Sequence, residues 1–256
     1  MKPNTALVTG AGQRLGRAMA LHCAARGFAV AVHYNRSREA AEAVVREIEA
    51  MGGRAAAVAA DLSDSAAVGE LVAKAAAALG PVTCLINNAS TFENDSIQSM
   101  TPESWRLHLA VNAEAPARLA QQMAAALPDG AEGLIVNMLD EAVARPGPSF
   151  FTYTISKAAL ASMTEMLAQA LGPRIRVNGI APGLILNSGH PSQEAFEQAH
   201  RNTLLGRGPG ADAIVRALDY LMDADTVTGE ILYVDAGKHL MQSQKYLPSK
   251  PEEPKT

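Results

Sequence analysis

Short β-branched or apolar runs alternate along this chain with longer Ala-rich stretches whose apolar residues recur at helical spacing. A continuous apolar run suits a strand covered on both faces, and its alternation with amphipathic helices is the pattern of β-α-β units joined into a parallel sheet. The runs predict strands near 5–9 (Thr-Ala-Leu-Val-Thr), 28–33, 54–60, 82–87, 133–139, 174–179 and 230–234. Helices fill the gaps, so the fold class is α/β: a single doubly wound domain with a seven-stranded parallel sheet and helices on both faces. Ser37 and Asp64 are placed to cap helices and Gly52-Gly53 to stop one, while Thr101-Pro102-Glu103 reads as a cap followed by proline in the first turn. Leu160, Met163, Leu167 and Leu171 share one helical stripe, which reads as packing. Between 184 and 204 the alternation breaks at Asn187-Ser188-Gly189-His190-Pro191 before a polar helix-like run, either a mobile lid over a site or a surface insertion. Residues 245–256 hold three prolines, three lysines and two glutamates, a polar tail after a domain spanning 1–244.

Composition narrows the function classes. With 48% hydrophobic and 19% charged residues over 256 positions, one α/β domain has enough apolar material for a full core. Lys and Arg total 22 against 26 for Asp and Glu, a formal charge of -4 with no basic block, so nucleic acid is excluded as an expected partner. Cys23 and Cys84 fall inside apolar segments and match no metal-ligand spacing, which predicts reduced thiols, no metal and a cytoplasmic protein. No apolar signal core follows Met1-Lys2-Pro3-Asn4 and no run approaches the ~18 apolar residues of a membrane span, so neither export nor membrane insertion is expected.

The turn Thr9-Gly10-Ala11-Gly12-Gln13-Arg14-Leu15-Gly16 directly follows the first strand and opens the first helix. Glycines there let the backbone approach phosphates, and the helix N-terminus offers free N–H groups and partial positive charge. The second strand ends in Val32-His33-Tyr34-Asn35-Arg36-Ser37, with no acid before Glu39. A carboxylate at that point would bond a ribose 2'-OH and repel a 2'-phosphate, whereas an arginine beside a hydroxyl accommodates the phosphate. That reading selects NADPH over NADH; Ser37 can serve the phosphate and cap its helix together. Further along, Tyr153 and Lys157 stand four apart at the start of a predicted helix, on one face. An ammonium beside a phenol is expected to lower the tyrosine pKa and ease proton transfer.

Taken together these residues resemble the classical short-chain dehydrogenase/reductases, a Rossmann-type family, over about residues 4–240. The turn is similar to the family's Thr-Gly-x-x-x-Gly-x-Gly fingerprint, with Arg14 where the middle glycine stands, and Tyr153 and Lys157 resemble its catalytic pair. Arg14, the His33 to Ser37 segment and Asp140, which stands where the family usually has a serine, resemble the pteridine reductase and dihydromonapterin reductase branch. The resemblance implies that Asp61-Leu62 contacts adenine, that Asn87-Asn88-Ala89-Ser90 and Pro182-Gly183 border the cofactor, and that Asn112 anchors a water for proton relay. Gly10, Gln13, Arg14, Leu15, His33, Tyr34, Asn35, Arg36, Ser37, Tyr153 and Lys157 join the implied cofactor contacts, Lys157 on the nicotinamide ribose. Arg14, Ser90, Phe92, Asp140, Tyr153 and Leu184 are the implied substrate contacts, with Phe92 stacking on a pterin. The segment Val227-Thr228-Gly229-Glu230 with Tyr233 to Gly237 resembles the family's last strand, which implies a homotetramer. The expected activity is NADPH-dependent reduction of a dihydropterin such as dihydromonapterin or dihydrobiopterin, with dihydrofolate as a weaker substrate. A carbonyl reductase acting on 3-oxoacyl thioesters and a non-catalytic NADP-sensing regulator are the two alternatives; Asp140 and Phe92 weigh against the first, and the intact Tyr153, Lys157 and Asn112 against the second.

Overall fold

The computed structural model describes residues 4–185 and 192–241. The segment Asn187 to Pro191, expected as lid or insertion, and the tail at 245–256 lie outside the described residues. Seven strands form one parallel sheet: β1 (Thr5–Val8), β2 (Ala29–Tyr34), β3 (Ala55–Ala59), β4 (Val82–Asn87), β5 (Gly133–Met138), β6 (Ile175–Pro182) and β7 (Ile231–Val234). Between them run α1 (Arg14–Ala25), α2 (Arg38–Ala50), α3 (Ser65–Leu79), α4 (Pro102–Leu109), α5 (Ala115–Ala126), α6 (Phe151–Leu171), α7 (Gln193–Arg201) and α8 (Ala211–Asp223). A π-helical turn, Ala110–Glu114, joins α4 to α5 and carries the buried Asn112.

The spatial order is β3-β2-β1-β4-β5-β6-β7. The chain winds outward from β1 to β3, then returns to lay β4 on the other side of β1. The helices that follow these two strands therefore diverge, and a crevice opens beyond the carboxyl ends of β1 and β4. Alternate residues of the strands feed two cores. One packs Val8, Val30, Val32, Ile86 and Val136 against Met19, Val44, Ile48 and Leu218 of α1, α2 and α8. The other packs Leu7, Ala31, Leu85, Ile135 and Val177 against Leu71, Leu119 and Ala168 of α3, α5 and α6. Both faces of the sheet are thus covered, which is why its strands are near-continuous apolar runs.

The helix punctuation follows the sequence with one exception. Asp64 Oδ1 accepts the Ala66 N–H at 2.9 Å, and Thr101 and Ser104 exchange the two bonds of a capping box at 3.1 and 3.2 Å ahead of Pro102. Ser37 precedes α2 but its hydroxyl makes no capping bond, because its backbone (φ -88°, ψ 59°) departs from the extended conformation that aims an N-cap side chain at the first turn. Strand β6 also runs past the expected end at 179, because pairing with β7 continues through Pro182↔Val234. Gly179, a breaker by composition, sits inside that strand because a Cβ there would lie 2.7 Å from Leu139 Cδ1. Leu160, Met163, Leu167 and Leu171 pack into the cores, as their spacing predicts. Among the described residues no helix is long and apolar enough to cross a membrane.

Candidate active site

The crevice is built first from backbone. Gly10 takes φ +62° as the chain leaves β1, and Gly16 brings α1 so close that a Cβ would lie 2.2 Å from the Gly10 carbonyl oxygen. Arg14 opens α1 at φ +53°, a left-handed conformation that glycine adopts freely and that costs about 1–2 kcal/mol with a side chain. Strain of this kind persists where the surroundings hold it in place, and here it falls on an exposed residue at the mouth of the turn. The turn is braced from β4: the Thr9 hydroxyl accepts the N–H groups of Asn88 and Ala89, both at 2.9 Å, and Asn88 Nδ2 donates to the Thr9 and Gly10 carbonyls at 2.8 and 3.2 Å.

His33 braces it from β2. Its ring is 1% exposed, its Nδ1 accepts the Gly10 N–H at 3.0 Å and its Nε2 lies 3.1 Å from the Ala60 carbonyl. A carbonyl only accepts, so Nε2 carries the proton and the imidazole is neutral. Burial pushes its pKa down to about 4, with the Ala60 bond and Asp61 opposing. His33 was expected among the cofactor contacts; it lies behind the turn, orienting Gly10. The unfolded chain takes up this proton near 6.5 and the folded chain only near 4, so stability falls as pH drops through that window. Between pH 7 and pH 5 the expected loss from this group is about 2 kcal/mol, read as a change in urea unfolding free energy. In His33→Asn that share of the pH dependence is expected to vanish, and an unchanged slope would locate the buried titration elsewhere.

Beyond the turn, Asn35, Arg36 and Ser37 are exposed at the end of β2, next to Asp61. The Ser63 hydroxyl and N–H, at 2.7 and 2.9 Å, hold the Asp61 carboxyl below its usual range, aided by Arg36 and Asn35 and opposed by slight burial. Leu62 is buried beside it. Tyr34 precedes these residues as the last of β2. A cavity of about 490 Å³ lies beside the turn. Gly10, Gln13, Arg14 and Leu15 line it from the turn, Asn88, Ala89, Ser90 and Phe92 from the loop after β4, and Asp140, Tyr153, Lys157, Pro182, Gly183 and Leu184 from the far side.

Inside that cavity the titratable groups touch. Tyr153 Oη donates to Asp140 Oδ2 at 2.8 Å, and Asp140 Oδ1 accepts the Ala142 N–H at 2.8 Å, which fixes the carboxylate's orientation. Lys157, 3% exposed, donates Nζ–H to the Met138 carbonyl at 2.7 Å and lies 5.9 Å from the centre of the Tyr153 ring. Burial lowers the lysine pKa to about 8, partly offset by Asp140. The expectation that Lys157 lowers the tyrosine pKa is reversed in this arrangement. Burial first, and then the Asp140 carboxylate, push the phenol well above its ordinary value, so the proton stays on Tyr153, shared toward Asp140.

Phe92 is 57% exposed, yet its ring stacks on Phe150, with centroids 4.5 Å apart, and stands nearly perpendicular to the Tyr153 ring, with centroids 4.6 Å apart. Phe150 itself sits at φ +52°. Nothing in its sequence context distinguishes it from a core aromatic, so residue type alone does not mark it for the site. Asn112 lies beneath the loop, outside the cavity: its Oδ1 accepts from Ser90 Oγ (3.1 Å) and Thr91 N–H (2.9 Å), and its Nδ2 donates to the Thr91 carbonyl and Ser156 Oγ, both at 3.0 Å. Its side chain clamps the loop after β4 to α6, with each side-chain hydrogen-bonding position occupied by protein.

Comparison with known proteins agrees with this geometry. Residues 4–197 match the sequence profile of the family described as short chain dehydrogenase. The crystal structure of alternative dihydrofolate reductase 1 from Brucella canis complexed with NADP superposes with a TM-score of 0.91 at 39% identity, covering 96% of this chain and 98% of that one. The Brucella suis counterpart, also with NADP, gives 0.91 at 40% identity over 94% and 96%. The 3-oxoacyl-[acyl-carrier-protein] reductase of Staphylococcus aureus is 30% identical over 241 residues, 92% of this chain and 98% of its own length.

Proposed function

The chain belongs to the short-chain dehydrogenase family, and from that premise we propose that it is an NADPH-dependent reductase of a dihydropterin. The observation that carries this reading is the Tyr153 to Asp140 hydrogen bond inside a cavity bordered by the exposed ring of Phe92. The chain fits a dinucleotide: Gly10 and Gly16 leave room where side chains would fill the turn, and Arg14 and Arg36 are exposed cations for its phosphates, Arg36 for a 2'-phosphate. When bound, the nicotinamide supplies a hydride to a ring carbon of the pterin C=N bond.

The protein's own groups do the rest. Tyr153 holds its proton at working pH and delivers it to the adjacent ring nitrogen, while Asp140 orients the phenol and accepts from an N–H edge of the heterocycle, which a serine at that position could not match with two oxygens. Lys157, bonded to the Met138 carbonyl beside the Tyr153 ring, holds the nicotinamide ribose, and Arg14, Ser90, Phe92 and Leu184 shape the pocket around a flat ring. The similarity to the NADP-bound Brucella reductases supports both cofactor and substrate class. The similarity to 3-oxoacyl reductases keeps ketone reduction as the second reading. We further take the protein to be cytoplasmic and a homotetramer, β7 being the edge of the sheet beside an open groove bordered by Glu165 and Gln169 of α6; light scattering checks the subunit count.

The test is the ratio of kcat/KM for 7,8-dihydrobiopterin to that for an activated ketone, followed as loss of NADPH absorbance. Wild type is expected to favour the pterin. Asp140→Ser is expected to lower that ratio by about tenfold or more, the worth of one charge-assisted hydrogen bond, with NADPH affinity little changed. A wild-type preference for the ketone, or an unchanged ratio, removes the pterin assignment.

A further inference from the structure

The first turn of α6 carries Tyr153, yet the residue before it cannot cap it: Phe150 is left-handed and apolar, with no side-chain bond to the helix. The free N–H groups of that turn are instead met from a distant loop. Asp95 Oδ1 accepts the Thr152 N–H at 3.0 Å, and the Asp95 backbone carbonyl accepts the Phe151 N–H at 3.2 Å. Asp95 is 8% exposed. Its Oδ2 accepts the Thr152 hydroxyl at 2.6 Å and the Ser104 hydroxyl at 3.3 Å.

A histidine locks this arrangement. His108 is fully buried on α4. Its Nε2 accepts the Glu93 N–H at 3.2 Å, so the ring proton is on Nδ1, which shares that one proton between the Ser104 carbonyl at 2.8 Å and the Thr152 hydroxyl oxygen at 2.9 Å. Thr152, sharing its one proton with Asp95 and receiving from His108, is satisfied in both directions. Three separate pieces of chain meet here: the loop that carries Ser90 and Phe92, helix α4, and the residue next to Tyr153.

We infer that Asp95 is a positioning residue for proton transfer, capping the catalytic helix in trans and, with His108 and Thr152, holding the Tyr153 hydroxyl and the Phe92 loop as one body. A carboxylate at a helix N-terminus satisfies its donors and its partial positive charge together, and these partners in turn hold the Asp95 carboxyl below its usual range against the effect of burial. An N–H left without its acceptor lets the first turn fray, and Tyr153 is one residue beyond it. The inference rests on Tyr153 as the proton donor, so its test separates the two.

Asp95→Ala and Asp95→Asn are compared alone and with Tyr153→Phe, using NADPH and 7,8-dihydrobiopterin, with hydrogen exchange followed over the backbone amides of 88–95 and 151–157. Asp95→Ala is expected to lower kcat about 10- to 100-fold, the cost of a misplaced catalytic group, with the NADPH dissociation constant held within about twofold and exchange raised in both segments. Asp95→Asn keeps an oxygen for the Thr152 N–H and is expected to recover kcat to within about threefold of wild type. In the Tyr153→Phe background Asp95→Ala is expected to add little, because it acts through that hydroxyl. An Asp95→Ala enzyme with wild-type kcat and exchange, an Asn variant as slow as the Ala variant, or fully multiplicative losses in the double variant would each overturn the assignment. Faster exchange over 151–157 with neither Asp95→Ala nor Tyr153→Phe slowing turnover would uphold the cap and instead overturn Tyr153 as donor.

Discussion

Tyr153→Phe is expected to lose about 10²- to 10⁴-fold in dihydropterin turnover while its fold and NADPH affinity stay near those of wild type. The change deletes one oxygen, the Oη that donates to Asp140 at 2.8 Å, and leaves the ring's edge contact with Phe92 and the Lys157 bond to Met138 in place. The direction of the loss follows from where the proton sits. With burial and Asp140 both opposing phenolate, Tyr153 enters the reaction holding the proton that the step requires. Single-turnover rates paired with NADPH titrations check this: a variant within about threefold of wild type would show that the proton arrives by another route.

Gly16→Ala is expected to abolish useful cofactor binding, raising the NADPH dissociation constant by about 100-fold, and to destabilise the fold by about 1–3 kcal/mol. Helix propensity points the other way, since alanine inside a helix is worth about 1 kcal/mol over glycine. Steric contact decides the sign. The new Cβ would lie 2.2 Å from the Gly10 carbonyl oxygen and 2.6 Å from Asn88 Nδ2, so either the turn opens or the brace between Thr9 and Asn88 breaks. Both outcomes displace the N–H groups that face a phosphate. A thermally stabilised variant with intact NADPH affinity would show that α1 can move away from β1 at little cost, contrary to the packing of Met19 and Ala20 in the core.

Much of the architecture is legible as sequence because it depends on neighbours. Buried parallel strands demand continuous apolar runs, and β1, β4 and β5 are buried at every position. Even Ala55–Ala59, alanine-rich and a good helix former by composition, lies in a strand, its register with Val30 to Tyr34 fixed by the sheet. The chemistry of the site is legible for the same reason: Tyr153 and Lys157 share a helix face, and the glycines of the first turn adjoin the strand they follow. Asp140 is separated from Tyr153 by 13 positions and was found only through resemblance to a family pattern.

What the chain alone determined, then, is the order of elements, the residue types at the first turn and the pairing of Tyr153 with Lys157 on one helix face, all set by periodicity and short spacing. Tertiary structure decided what those groups experience. His33, 23 positions from Gly10, turns inward to hold the turn instead of outward to a ligand, and Asp95, 57 positions from Thr152, caps a helix whose own preceding residue cannot. Lys157 bonds to the Met138 carbonyl 19 positions away, and the carboxylate of Asp140, not that ammonium, is the charge against the phenol. Hydrogen bonds and electrostatic fields depend on distances through space, and those distances exist only once the sheet has brought remote segments to one edge.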